Sequence, residues 1–390
     1  MATTAVGGRP KARAHVLAVL CEHGALSRAE LARRTALAPS TVSAIVGELT
    51  EDGLVADVDG AAAPSASGLG RPATLVALSR RAGVSAGVDF GKRHVRVAVA
   101  DLAHTVLAER LREVADDLPA AEAITLAVEL FDDALDEAGA ARKEVVGVGM
   151  GLPGPVHDAS GELGDSTILP GWVGVRGAEA MERALGLPVE LGNDANLGAL
   201  AEWMWGAARD CDDVVYIKVA TGIGSGMVLA GRPFHGAGGT AGELGHTVVE
   251  PGGSICRCGN RGCLETVAGA PAILGALREF HGDSLTIRDV VLRASDGDAG
   301  CARAIADAGR AIGAAVATLC NLVNPARVVV GGDVGAAGEL LLAPLRDALA
   351  RGAIRSAADD VEVVQGTLGE RAEVLGAIAL ALRRGAQRLA

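Results

Sequence analysis

Three cysteines crowd into a short glycine-rich stretch, Cys256-Arg257-Cys258-Gly259-Asn260-Arg261-Gly262-Cys263, with His246 upstream. Three thiolates and one imidazole make a complete tetrahedral set for Zn²⁺. Gly252, Gly253, Gly259 and Gly262 supply the tight turns that aim several side chains at one ion. Four protein ligands leave no position open for water, so the zinc this pattern predicts is structural, one per chain, and not hydrolytic. Buried free thiols are the competing explanation, and such close spacing argues against it. Cys21, Cys211, Cys301 and Cys320 are isolated and read as ordinary thiols. An odd, clustered total of seven cysteines suits a metal-binding protein of the reducing cytoplasm better than a disulfide framework.

Carboxylates stand at both ends of this loop. Gly242-Glu243-Leu244-Gly245-His246 leads into it and Leu264-Glu265 leaves it. Carboxylates held by a rigid metal loop are suited to gripping sugar hydroxyls. Asn193-Asp194-Ala195-Asn196 precedes a helix predicted over about 195–207, where helix capping is an equally natural role for Asn193 and Asp194. Thr221-Gly222-Ile223-Gly224-Ser225-Gly226 lies between two predicted strands, and Gly331-Gly332 follows another. Such turns let backbone approach a phosphate or ligand closely, or simply close a tight connection.

The elements that must position these residues follow from hydrophobic periodicity. Near the start, helices are predicted over Lys11–His23, Ser27–Thr35 and from Pro39 to before Gly53. Ser27-Arg28-Ala29-Glu30 has the reciprocal capping-box pattern. Strands over Leu54–Val58 and Thr74–Leu78 follow, joined by a Gly/Ala/Ser/Pro-rich loop. Three helices and a two-stranded ribbon in this order predict a winged helix-turn-helix over residues 1–80. Its third helix would enter the major groove of double-stranded DNA by its N-terminal end, presenting Ser40, Thr41 and Ser43. These hydroxyls bond phosphates or base edges but offer no bidentate base reader. Arg71, in Gly68-Leu69-Gly70-Arg71-Pro72 at the wing tip, is the candidate for minor-groove insertion.

From residue 84 the pattern changes to strands followed by helices, twice over. It predicts two α/β lobes with a cleft between them over residues 84–390. A chain of 390 residues accommodates both modules. The net charge of −12 does not oppose DNA binding, because residues 1–49 carry +3 and the remainder −15. No apolar run approaches the roughly 18–20 residues of a membrane span, and Met1–Lys11 lacks a signal-peptide core, so no membrane partner is expected. Aromatics are only 2% of the chain, so the core must be small and branched aliphatic.

Taken together, the motifs resemble the ROK family (repressors, open reading frames, kinases). The matching pieces are Gly151-Leu-Pro-Gly-Pro-Val156, Leu169-Pro-Gly-Trp172, Asn193-Asp-Ala-Asn196, Thr221-Gly-Ile-Gly-Ser-Gly226, Gly242-Glu-Leu-Gly-His246, Cys256-x-Cys-Gly-x-x-Gly-Cys-x-Glu265 and Val330-Gly-Gly332. The N-terminal module is similar to the half found in the family's repressors and lacking in its sugar kinases. The resemblance implies an actin-like, ribonuclease-H-type two-lobed fold. It implies sugar binding by Asn193, Asp194, Glu243, His246 and Glu265, and a homodimer or homotetramer.

In the family's kinases the residue matching Asp194 is the general base for phosphoryl transfer from ATP. Their ATP-phosphate turn, D-x-G-G-T, corresponds to Asp89-Phe90-Gly91-Lys92-Arg93, where Lys92 and Arg93 replace Gly and Thr. Asp89 and Gly91, with Thr221, Gly222 and Gly224, then read as vestiges of an ATP site. ATP is not expected as a cofactor. A sugar-responsive transcriptional repressor is the function implied. An ATP-dependent sugar kinase with an appended DNA module is the alternative, and an interaction protein with an inactive cleft is a third.

Overall fold

The computed structural model describes residues 9–58, 74–116, 118–156 and 168–389. The DNA-reader pattern resolves into α1 (Arg9–His23), β1 (Leu26–Ser27), α2 (Arg28–Thr35), α3 (Pro39–Glu51), β2 (Val55–Val58) and β3 (Leu75–Leu78). Val16, Leu17 and Leu20 of α1, Leu31 of α2, and Val42, Ile45, Val46 and Leu49 of α3 are buried together with Val55 and Val76. The ribbon has three strands rather than two, in the order β1-β3-β2. Leu26 and Ser27 pair with Val76 and Leu75, an addition too short to leave a periodic signal. The capping box is also only half made. Ser27 Oγ accepts the Glu30 backbone N–H at 3.1 Å, but the Glu30 carboxylate turns to the guanidinium groups of Arg33 and Arg34. A charged partner one turn along draws it away from the helix end.

The body opens with β4 (Val84–Phe90), β5 (His94–Asp101), β6 (Val106–Glu113), α4 (Ala120–Ala138), β7 (Val145–Leu152), α5 (Gly177–Leu185) and β8 (Val189–Asn193). These strands form one sheet ordered β6-β5-β4-β7-β8. Every residue of β4 is buried, as expected of a central strand covered on both faces. Next come α6 (Asp194–Met204), β9 (Val214–Val219), β10 (Ile223–Leu229), β11 (Arg232–Pro233), α7 (Leu264–Ala268), α8 (Ala270–His281), α9 (Ile287–Ser295) and α10 (Ala299–Val323). The chain then continues through β12 (Arg327–Gly331), α11 (Gly332–Gly335), α12 (Glu339–Gly352), α13 (Arg355–Asp360), β13 (Glu362–Gln365) and α14 (Ala372–Leu389). The second sheet runs β11-β10-β9-β12-β13 and repeats the first one's plan, an antiparallel hairpin joined to parallel strands.

Within the described residues, one compact unit comprises 9–152, 175–192 and 377–389, and the other 153–174 and 193–376. In the first, the winged module is tied to the C-terminal helix by an ion pair from Arg383 to Glu22 at 3.0 Å. Half of the few aromatics anchor the cores: Trp172, Tyr216, Phe90 and Phe131 are among the largest fully buried side chains, whereas Phe234 and Phe280 are exposed. Among the described residues, no helix is long and apolar enough to cross a membrane.

The half-made cap gives a clean contrast. Ser27→Ala should lower stability by about 1 kcal/mol, because an orphan helix N–H loses its acceptor. Glu30→Ala should change it by no more than about 0.5 kcal/mol, because only surface ion pairs are lost. Urea unfolding of the two variants measures both.

Candidate functional site: a carboxylate cluster beside a cysteine loop

Asp194 is the first residue of α6, and its place depends on how closely that helix lies on β9 and β10. Gly198 and Gly226 permit the approach. A Cβ at Gly198 would lie 2.4 Å from the Tyr216 ring, and one at Gly226 would lie 2.5 Å from the Ala195 carbonyl oxygen. Asn193 caps the helix, with Oδ1 accepting the N–H groups of Ala195 at 2.9 Å and Asn196 at 3.2 Å. Its amide donates to the Gly154 carbonyl at 2.8 Å and to Asp194 Oδ1 at 3.1 Å. Both lone pairs and both protons of the Asn193 amide are thus engaged within the chain. Asn193 positions its neighbour, and a ligand would have to displace one of these bonds to reach it.

Lys218 projects from β9 beneath Asp194. Its ammonium is 2.9 Å from Asp194 Oδ2 and 2.8 Å from Glu373 Oε1 at the start of α14. Neither Lys218 nor Glu373 stood out among the sequence motifs. The available signals were a lone lysine in Val-Val-Tyr-Ile-Lys-Val and an acid opening an apolar helix.

Glu243 and His246 arrive on a loop pressed against β10. A Cβ at Gly242 would sit 2.2 Å from the Ser225 carbonyl oxygen, and one at Gly245 would sit 1.9 Å from that of Ile223. His246 Nε2 faces Glu243 at 3.7 Å, and His246 Nδ1 is 3.7 Å from Glu265 Oε1. Glu265, in the first turn of α7, is buried and ion-paired with Arg257. Burial pushes the Glu243 carboxyl up, His246 opposes the shift, and the charges of Asp194 and Glu265 add to it. The structure therefore gathers Asp194, Glu243, His246 and Glu265 into one electrostatic neighbourhood, with Lys218, Glu373 and Arg257 as partners. Thr221, Gly222 and Gly224 lie at the β9–β10 turn, where Arg257 backs the loop: a Cβ on Gly222 would come 2.6 Å from its Nη2.

The cysteine loop has donors spaced for a metal ion. Zinc arms of about 2.3 Å to sulfur and about 2.0 Å to nitrogen put tetrahedral donors roughly 3.5–3.8 Å apart. Cys258 Sγ and Cys263 Sγ are 3.7 Å apart, and Cys256 Sγ is 3.6 Å from His246 Nδ1. The four donor atoms of His246, Cys256, Cys258 and Cys263 all lie within 4.8 Å of one another, so the cluster can hold a metal ion. Because Nδ1 faces the sulfurs, Nε2 is left to face Glu243, and one ring can serve both the metal and the carboxylate cluster. His281, Asp298 and Cys301 meet the same distance limit. There, however, Asp298 caps α10 through Cys301 N–H at 2.9 Å, and Arg293 lies 3.1 Å from His281 Nδ1. A helix cap accounts for that group.

The stretch matching an ATP-phosphate turn lies in the first unit and is engaged with its own side chains. Asp89 is buried and bonded to His94 Nε2 at 2.7 Å. A Cβ on Gly91 would fall 2.1 Å from the His94 ring, so imidazole covers that glycine. Lys92 and Arg93 both turn to Asp116, at 3.4 Å and 2.7 Å. Its bond to Arg93, with Lys92 adding, holds the Asp116 carboxyl below the usual range.

In the winged module, Ser40, Thr41 and Ser43 are exposed at the start of α3, and its N-cap, Ala38, supplies no side-chain bond. Unsatisfied N–H groups and hydroxyls therefore face outward together. Arg71 lies outside the described residues.

Comparison with known proteins agrees with both halves. Residues 85–384 match the ROK family, and the chain belongs to it. Residues 12–56 match a winged helix-turn-helix DNA-binding family. The chain is 31% identical to the DNA-binding transcriptional dual regulator NagC of Escherichia coli strain K12, over 95% of this chain and 92% of that protein. It is 27% identical to a xylose repressor of Caldicellulosiruptor bescii, over 94% of each. Its structure is similar to that of a ROK family transcriptional regulator described as a homologue of the E. coli MLC protein. That likeness has a TM-score of 0.78 at 27% identity and covers 97% of this chain and 98% of the other. A ROK family glucokinase from Streptomyces griseus, solved with glucose and AMPPNP, is 29% identical with a TM-score of 0.66. It covers 76% of this chain and 99% of its own.

Metal analysis of the purified protein should find about one ion per chain, reduced to none in Cys258→Ser. Chelation should lower the melting temperature of the wild type and leave that variant unmoved.

Proposed function

We infer that this chain is a sugar-responsive, DNA-binding transcriptional regulator that acts as a repressor of carbohydrate genes. The observation that carries this is the order of modules. A winged helix-turn-helix precedes a ROK body, and a named repressor and a named dual regulator match nearly the whole length while the glucokinase structure covers 76% of the chain. Functionally, residues 1–80 form the DNA module and 84–390 the sugar-binding body.

Ser40, Thr41 and Ser43 bond the operator from the start of α3, and Arg71 enters an adjacent A·T-rich minor groove. In the body, Asp194, Glu243, His246 and Glu265 take the sugar's hydroxyls, and Asn193 holds Asp194 in place. Carboxylates dominate this cluster: Asp194, Glu243, Glu265 and Glu373 surround two cations, Lys218 and Arg257, each already ion-paired. Such a site favours a neutral sugar over a phosphorylated one. Zinc on His246, Cys256, Cys258 and Cys263 supplies a fixed node between the Glu243 loop and Glu265. It leaves no open coordination position, so its role is structural.

Relief of repression by the sugar then follows from linkage. A sugar that binds the operator-incompetent state more tightly must weaken operator binding by the same factor. A homodimer or homotetramer in the cytoplasm, reading paired half-sites, is the form that suits this work.

The likeness to a glucokinase favours a second reading, a sugar kinase. Against it stand His94 over Gly91 and the retention of Lys92 and Arg93 by Asp116, where a phosphate turn needs open backbone.

Xylose, glucose and N-acetylglucosamine should be titrated against the protein bound to a duplex selected from a random library. One of them should weaken the complex by about 5-fold or more. If a sugar binds but operator affinity stays constant, the switch is wrong. Coupled ADP release should stay at background, whereas robust turnover abolished by Asp194→Ala would establish the kinase. Asp194→Ala should also remove the sugar-induced rise in melting temperature that ligand linkage predicts for the wild type.

A further inference from the structure

Arg257 stands between the first two cysteines of the loop, at a position that the metal donor set leaves free. Its guanidinium turns back to Glu265, the two side chains being 29% and 7% exposed. Arg257 Nη2 donates to Glu265 Oε2. Glu265 Oε1 faces the other way, 3.0 Å from Cys256 Sγ and 3.7 Å from His246 Nδ1. The carboxylate is thus held at one oxygen by Arg257 and set at the other against the cysteine loop.

The β9–β10 turn is the floor on which this pair rests. A Cβ on Gly222 would fall 2.6 Å from Arg257 Nη2 and 3.0 Å from Glu265 Oε2, and the third nearest atom is Arg257 Cζ at 3.7 Å. The turn itself is fixed. The Ala220 N–H donates to the Gly222 carbonyl, and the Ala270 N–H at the start of α8 donates to the Ala220 carbonyl, each at 2.9 Å. Gly222 is not among the glycines of positive φ, so its backbone admits a side chain and the ion pair is what stands in the way. Along the chain Gly222 reads as a glycine of a phosphate turn. In the fold, a guanidinium and a carboxylate fill the space over its α-carbon.

We propose that Arg257 is a positioning residue for sugar recognition: seated on Gly222, it fixes Glu265 where that carboxylate accepts one particular hydroxyl of the sugar. The proposal rests on the sugar-sensing reading above. An ionised carboxylate offers about four lone-pair sites, so one bond from Arg257 leaves Glu265 able to accept a hydroxyl as well. Holding the side chain in advance spares the entropy of ordering it on binding. The guanidinium also eases the crowding of carboxylates: Glu243 feels the charges of Asp194 and Glu265, and Arg257 acts on it in the opposite sense.

Calorimetric titration with xylose, glucose and N-acetylglucosamine identifies the sugar that binds. Its monodeoxy analogues then identify the hydroxyl that Glu265 takes, whose removal should make the wild type and Glu265→Gln bind alike. Arg257→Ala should bind the parent sugar about tenfold more weakly than the wild type. It should bind that one deoxy analogue within about twofold of the wild type. Arg257→Ala combined with Glu265→Gln should be no weaker than Glu265→Gln alone. Arg257→Lys should recover most of the loss, because an ammonium can supply a single bond to Glu265. Gly222→Ala keeps both charges and displaces the guanidinium, so it should reproduce the hydroxyl-specific loss even if Arg257→Ala fails to fold. Metal content should match the wild type throughout, because no donor is altered.

A loss in Arg257→Ala shared equally by every analogue, a loss additive to that of Glu265→Gln, or a fall in metal content overturns the proposal. So does a folded Arg257→Ala or Glu265→Gln that binds like the wild type. If neither Arg257→Ala nor Gly222→Ala folds, the pair is a stability element and the proposal falls. A wild type that binds none of the three sugars overturns the sugar-sensing reading, and the proposal with it.

Discussion

The close approach of α6 to the β9–β10 hairpin is the constraint on which the site depends. Packed helices and sheets are normally held apart by the side chains between them. Here Gly198 faces the Tyr216 ring and Gly226 faces the Ala195 carbonyl, each at a distance that a methyl group would make impossible. The helix start is thereby lowered onto the strands, and Asp194 comes within 2.9 Å of a lysine on the strand beneath it. The same economy of side chain recurs where Gly242 and Gly245 lay the Glu243 loop on β10. A chain with 54 glycines and few aromatics can build such contacts throughout, and the site is where they carry chemical consequence.

Charge pairing then decides what the gathered residues can do. Asp194 is committed to Lys218, Glu265 to Arg257, and Asn193 to its own helix and to Gly154. In the first unit the same logic turns Lys92 and Arg93 to Asp116 and Asp89 to His94. Groups that resemble a kinase's working parts are held by neighbours within their own unit. A fixed array of acceptors and donors suits recognition, because preorganised groups lose little entropy on binding. Chemistry on phosphate would instead need an open turn and an unencumbered base.

Much of this was legible along the chain. The cysteine spacing marked out a donor set, and in the fold the four donor atoms of His246, Cys256, Cys258 and Cys263 lie close enough together to hold a metal ion. The long elements, such as Ala120–Ala138 and Ala299–Val323, are marked by periodicity because a helix must bury a continuous stripe. The two-residue β1, the short α7 and α13 and the edge strand β13 carry too few residues to show a period, and tertiary pairing alone creates them. Glu30 shows the limit of local rules. Its position satisfies a capping box, yet Arg33 and Arg34 draw its carboxylate away.

The order of motifs, the charge split and the presence of a zinc-type donor set belong to the sequence by itself, because each depends on residue type and spacing. The partnership of Lys218 with both Asp194 and Glu373 does not. Those residues are 24 and 155 positions from the lysine. Only the packing of α6 and α14 around β9 brings them to one ammonium, because ion pairing is a matter of ångströms in space and leaves no trace in sequence separation.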